Sequence, residues 1–137
     1  LENIISRCLF YGLKKNKIDE YIDEIIEFTD LGNYIHLPTR VYSAGMKARL
    51  AFAAVTSIKS DILLMDEGIG AGDAAFIEKA RIRLNNFISK SKILVLASHD
   101  NNLIKRFCNK AILLEKGKLI FLGSIPEAFD RYKKIGS

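Results

Sequence analysis

Ile62-Leu63-Leu64-Met65-Asp66-Glu67 is the stretch on which the fold turns. Four apolar residues in a row, without alternation and ending abruptly on two carboxylates, predict a strand covered on both faces, as in a parallel sheet. A second run of the same kind, Ile93-Leu94-Val95-Leu96-Ala97, ends in Ser98-His99-Asp100. Between them Gly68, Gly70 and Gly72 mark a close-approach loop. Asp73 then stands where it can cap a helix with the apolar face Phe76, Ile77, Ala80, Leu84, Phe87 and Ile88. Strand, helix and strand on short connections make a right-handed crossover unit.

Working outward, Asn102–Cys108 reads as a short helix. Ala111-Ile112-Leu113-Leu114 and Leu119-Ile120-Phe121-Leu122 flank Glu115-Lys116-Gly117-Lys118, a hairpin with a glycine turn. Ile125 to Tyr132 predicts a last helix. Upstream, Ile18, Tyr21, Ile22, Ile25 and Ile26 fall on one helical face with acids opposite, and Asn16 and Gly32 are the expected cap and stop. Pro38 makes His36–Thr39 a loop. Leu50-Ala51-Phe52-Ala53-Ala54-Val55, small and apolar all round, predicts a helix buried on most sides, capped by Ser43.

The chain has 137 residues, 49% hydrophobic and 27% charged, with a formal net charge of +5. That suits a globular α/β domain and excludes disorder, whose signature is low hydrophobicity with high charge. No apolar run approaches the roughly 20 residues of a membrane span, and no secretory signal opens the chain. Cys8 and Cys108 lie far apart with no further ligand at metal spacing, and read as thiols of a reducing compartment. The basic balance fits a solvated lysine-rich surface, since no basic stripe interleaved with aromatics is present and Trp is absent.

Ligands of open parallel sheets bind at the carboxyl ends of the strands, and both strands end in ionisable residues. A hard carboxylate such as Asp66 can hold Mg²⁺ directly or through water. The next residue, Glu67, points the other way and is free to deprotonate an attacking water. His99 can hydrogen-bond a phosphate oxygen. Ser43 and Gly45, at a helix start, bring a hydroxyl, backbone N–H groups and the positive helix end, which together favour phosphate. Metal-assisted phosphoryl transfer is the chemistry that uses all of these.

In their order these residues resemble a family. Tyr42-Ser43-Ala44-Gly45-Met46-Lys47-Ala48-Arg49-Leu50-Ala51-Phe52-Ala53 resembles the signature motif of ABC-type ATPases. Ile62–Glu67 is similar to their Walker B strand, Gly70-Ala71-Gly72-Asp73 to the D-loop and Ser98-His99-Asp100 to the switch-histidine loop. The resemblance implies a partial P-loop NTPase fold with parallel core strands. It also implies a helical subdomain over residues 1–57 and a core over 58–137 that ends in a β-hairpin plus helix. It implies ATP and Mg²⁺ as cofactors, with Ser43, Ala44, Gly45 and Asp73 at the nucleotide. Ser43 and Gly45 would meet the γ-phosphate held by the opposite subunit of a head-to-tail homodimer. Asp66 would organise the metal, Glu67 would be the catalytic base and His99 the γ-phosphate sensor. Asp73 would make a dimer contact, and Arg49 falls on the arginine of the signature helix.

The wording Tyr-Ser-x-Gly-Met-x-Ala-Arg-Leu-Ala-Phe, with Gly-Asp-Ala-x-Phe after the Walker B acids, is similar to ATPases that export polysaccharides and polyol-phosphates. For such a subunit a transmembrane permease is the implied partner, nucleic acid is not, and the place is peripheral, on the cytoplasmic face of the inner membrane. Tyr42, Ala44 and Met46 stand where the family pattern has Leu, Gly and Gln, and Gly68 replaces the Pro after the base. No G-x-x-x-x-G-K-[ST] loop occurs in the chain, so the expectation is the downstream part of an ABC ATPase. The alternatives are a non-hydrolysing interaction domain and a DNA-maintenance ATPase of the SMC type, whose long heptad insertions are missing.

Overall fold

A computed structural model describes residues 1–66 and 74–135. Glu67, Gly68, Gly70, Gly72 and Asp73 fall outside the described residues. The elements are α1 (Glu2–Phe10), α2 (Lys15–Thr29), 3₁₀ turns at Gly32–His36 and Thr39–Val41, and α3 (Ala44–Ser57). Then come β1 (Ile62–Asp66), α4 (Ala74–Ser89), β2 (Ile93–Ala97), α5 (Asn101–Phe107), β3 (Ala111–Glu115), β4 (Lys118–Gly123) and α6 (Ile125–Ile135). They form two compact units, one of helices α1 to α4 and one of the four strands with α5 and α6.

In the helical unit, Gly12 closes α1. At φ +85° it lets Gly12 N–H reach the Leu9 carbonyl at 2.9 Å and Leu13 N–H the Cys8 carbonyl at 3.0 Å, a Schellman closure. The chain re-enters helix at once, so α2 begins at Lys15 with extended Lys14 at its cap position. Asn16 lies inside the first turn instead of capping it. At the other end Asp30, left-handed at φ 52°, stops the helix two residues before the expected Gly32, because a short Asx side chain tolerates that conformation. The loop expected at His36–Thr39 is tighter, with 3₁₀ turns on both sides of extended Leu37 and Pro38.

The expected face of α2 is buried through Ile18 and Ile25, and it meets Ile4 and Cys8 of α1, Leu50, Ala53 and Ala54 of α3, and Phe76 and Ala80 of α4. Arg83 of α4 ties three helices together. Its guanidinium donates to Thr56 Oγ1 and Ser57 Oγ, each at 2.6 Å, and to the Ala53 carbonyl at 3.4 Å, all on α3. It pairs with Glu24 at 2.8 Å and lies 4.4 Å over the Phe28 ring, both on α2. Lys79, one turn earlier, donates to the last carbonyls of α2 at Glu27 and Phe28, where a cation suits the negative helix end.

In the other unit β1 and β2 pair in parallel, Ile62 opposite Ile93 through Asp66 opposite Ala97. Coverage on both faces, expected from the apolar run, is not what is found. Leu63 is buried, whereas Leu64 is 73% exposed and Ile62, Ile93 and Val95 share its open face. A sheet is enclosed only when layers lie on both sides, and among the described residues one side has none. The hairpin forms as expected. Lys116 at φ 48° and Gly117 at φ 78° give a two-residue turn with both central residues left-handed, whose twist matches the strands. Gly123 leaves no room for a Cβ because the Phe121 ring lies across it, and Arg131 of α6 covers that ring at 4.4 Å. Both cysteines are free, Cys8 buried and Cys108 half-buried, and burial pushes both thiols up.

The hydroxyl and carbonyl bonds of Arg83 are sheltered, its side chain being 14% exposed, while Glu24 is 56% exposed. Arg83→Met should therefore lower stability to urea by about 2–3 kcal/mol, and Glu24→Gln by under about 1 kcal/mol. Equal losses would mean that the ion pair dominates.

Candidate functional site

The helical unit contributes the start of α3. Ser43, at φ −63° and ψ 165°, is its N-cap, and its Oγ accepts the Met46 N–H at 3.2 Å. The Ser43 carbonyl accepts the Lys47 N–H at 3.0 Å, which opens the helical ladder. Helix geometry leaves the N–H groups of the first turn, Ala44 and Gly45, without intrahelical acceptors. The Ser43 hydroxyl still has its proton to donate, because capping uses only a lone pair. One exposed spot therefore offers a hydroxyl, two N–H groups and the positive helix end.

Gly45 is informative here. Its φ is not left-handed, and an added Cβ would meet nothing nearer than Ser43 Oγ at 3.9 Å. Nothing inside the unit requires glycine, although glycine costs a helix about 0.5–1 kcal/mol relative to alanine. Along the same helix Arg49 stacks over Phe76 of α4 at 4.7 Å, so it joins α3 to α4.

The strand unit contributes the carboxyl edge of the parallel pair. Asp66 is the exposed last residue of β1, level with Ala97, so Asp66 and Ser98-His99-Asp100 share one end of the sheet. Asp100 caps α5, accepting from Asn102 N–H at 2.8 Å and Leu103 N–H at 3.4 Å, and Ser98 Oγ accepts the Asp100 N–H at 3.0 Å. These bonds fix the backbone on both sides of exposed His99. A single exposed carboxylate suits Mg²⁺, which keeps its waters and takes one or two protein oxygens beside substrate phosphates. Among the described residues no group of three or more His, Cys, Asp or Glu is placed to hold a metal, so Asp66 would supply the protein oxygen alone or with Glu67, which lies outside them.

Of the residues expected from the sequence, Ser43, Ala44 and Gly45 stand at the start of α3, and Asp66 and His99 at the carboxyl edge of the parallel pair. The sequence reading passed over Tyr42 as a mere departure from the family pattern, and it missed Arg83. Tyr42 is buried beneath the α3 start, and its hydroxyl donates to the Tyr34 carbonyl at 2.7 Å. A buried aromatic just before a capping serine was the available signal.

The fold is shared with solved ATP-binding subunits of ABC transporters. One solved ATP-binding subunit of an ABC transporter matches 99% of this chain and 57% of its own, with TM-score 0.71 and 18% identity. A subunit of the cbiONQ ABC transporter complex from Clostridium perfringens matches 96% and 53%, with TM-score 0.55 and 21% identity.

In sequence the chain is similar to ATP-binding subunits of polymer exporters. It is 48% identical over 116 residues to the O-antigen export system ATP-binding protein RfbE of Yersinia enterocolitica, covering 85% of this chain and 48% of that protein. It is 40% identical over 133 residues to the teichoic acids export ATP-binding protein TagH of Bacillus cereus, covering 97% and 24%. For TagH of Staphylococcus haemolyticus the figures are 34% identity, 98% and 51%. The chain thus spans about a quarter to a half of the relatives it matches. No protein-family model matches it.

Two substitutions separate a cap from a ligand site. In urea unfolding Ser43→Ala should cost about 1 kcal/mol through the lost cap. Gly45→Ala should leave stability unchanged or raise it by about 0.5–1 kcal/mol. Marked destabilisation by Gly45→Ala would give the glycine a purely internal role.

Proposed function

We propose that this chain is the signature-motif and Walker B part of an ATPase subunit that energises export of a polysaccharide or polyol-phosphate. It would act through a transmembrane permease at the cytoplasmic face of the bacterial inner membrane. The observation that carries the reading is the exposed start of α3, where Ser43 keeps its proton and Gly45 has no internal reason to be glycine. The likeness to O-antigen and teichoic acid export proteins supports the polymer class. Among the described residues no helix is long and apolar enough to cross a membrane, so coupling would pass through the permease. The functional division is the one between residues 1–57 and 58–137, even though α4 itself packs with the helical unit.

In this reading the subunits pair head to tail. Ser43, Ala44 and Gly45 bind the γ-phosphate of ATP held by the opposite subunit, donating one O–H and two N–H groups toward charge that grows in the transition state. Asp66 holds the cation at the strand tip, and Mg²⁺ when bound neutralises phosphate charge. Glu67 takes the proton of the attacking water, and general-base assistance of this kind contributes roughly 10²–10⁴ in rate. His99 hydrogen-bonds a γ-phosphate oxygen from a turn fixed by Ser98 and Asp100. Asp73 contributes at the subunit contact.

Two measurements test this. In the complete subunit Glu67→Gln should lower ATP turnover by at least roughly 10²-fold while leaving ATP-dependent dimerisation intact; undiminished turnover would remove Glu67 from the role of base. Titrated alone with Mg-ATP, the present chain should bind only weakly, as it carries no G-x-x-x-x-G-K-[ST] loop. Micromolar affinity would contradict the division of labour.

A further inference from the structure

Tyr42 directly precedes the α3 start, and it is held from both sides. Its side chain is 4% exposed, and its hydroxyl donates to the Tyr34 carbonyl in the 3₁₀ turn at 2.7 Å. Its backbone N–H bonds the Thr39 carbonyl at 3.2 Å. The Tyr34 carbonyl also accepts the Leu37 N–H at 2.9 Å, and the Asn3 amide of α1 donates to the Leu37 carbonyl at 3.2 Å beside the same phenol. Three pieces of chain, α1, the 3₁₀ turn and the α3 start, therefore meet around one phenol. Burial pushes the phenol up from its ordinary range, so it stays a protonated donor at neutral pH.

A leucine, the residue of the family pattern, would fill this pocket with apolar volume but could not reach a carbonyl. The phenol adds a directional bond that fixes rotation about the backbone leading into Ser43. The far end of α3 is already pinned, through Arg83 to Ala53, Thr56 and Ser57. With both ends held, the hydroxyl and N–H groups at Ser43–Gly45 are presented in one orientation.

We propose that Tyr42 is a positioning residue for the phosphate receptor, acting through its hydrogen bond to the Tyr34 carbonyl to fix where Ser43, Ala44 and Gly45 stand. The proposal rests on the reading of Ser43–Gly45 as a γ-phosphate receptor. Tyr42 touches no nucleotide. Its loss should be felt in the transition state, where donor placement matters most, and little in ATP affinity, which belongs to other elements.

The test uses Tyr42→Phe, which keeps the ring and removes the donor. In the present chain, amide exchange at Met46 and Lys47, the first bonded N–H groups of α3, should accelerate roughly 3–10-fold, with amides of α2 unchanged. Unchanged exchange at Met46 and Lys47 overturns the proposal. In the complete subunit, turnover per folded molecule should fall roughly 3–10-fold, with KM for ATP within about twofold. The same change added to Ser43→Ala should cause little further loss, since both act on one group of donors. A fully additive loss, or a rise in KM alone, overturns the proposal. Undiminished turnover in Ser43→Ala alone would instead overturn the receptor reading, and the exchange measurement would still decide the role of Tyr42.

Discussion

The guanidinium of Arg83 is the contact on which the helical unit depends. One planar group satisfies two hydroxyls and a carbonyl on α3, pairs with a carboxylate on α2 and stacks on Phe28. A lysine, a point charge without the planar fork, could not make that set. Because Thr56 and Ser57 lie at the end of α3, fixing them fixes the axis of the helix whose other end carries Ser43. Arg49 over Phe76 and Lys79 at the end of α2 add to the same alignment. The aromatic rings of Phe28, Phe52 and Phe76 fill the space beneath.

From that alignment follows the character of the α3 start. A helix N-terminus gains ligand-binding power only when its unpaired N–H groups are held still and exposed together. Ser43 spends one lone pair on the cap and keeps its proton, Gly45 adds no side chain there, and the Tyr42 hydroxyl just before it is bonded to the Tyr34 carbonyl. The strand unit follows the same economy of parts. Register places Asp66 and the Ser98–Asp100 turn at one edge, and two short hydrogen bonds hold the backbone around His99.

Much of this was legible in the sequence. The order strand, helix, strand, the hairpin turn, the Ser43 cap and the carboxyl edge all follow from local pattern, because period, capping and turn chemistry act over a few residues. Element ends were less legible: Gly12 closed α1 so tightly that Asn16 had no loop to cap from, and Asp30 adopted the left-handed stop expected of Gly32. Arg83 could not be recognised, since on its own helix it reads as a solvated arginine, its α3 partners lie 26 to 30 residues earlier and its α2 partners farther still. The open face around Leu64 departs from expectation for a different reason. An unbroken apolar run shows that both faces of a strand are apolar, but not which layers are present to cover them.

The central claim is that Ser43–Gly45 of one subunit serves the nucleotide opposite Glu67 of another. Mixed dimers measure this directly. A complete subunit carrying Ser43→Ala is paired with one carrying Glu67→Gln, and ATP turnover is compared with that of each singly substituted homodimer. Head-to-tail sharing leaves one site with both groups intact, so turnover should exceed either homodimer by at least about tenfold, an effect of order 1.4 kcal/mol. Turnover no higher than that of the homodimers would place both groups in the same subunit's site and contradict the account.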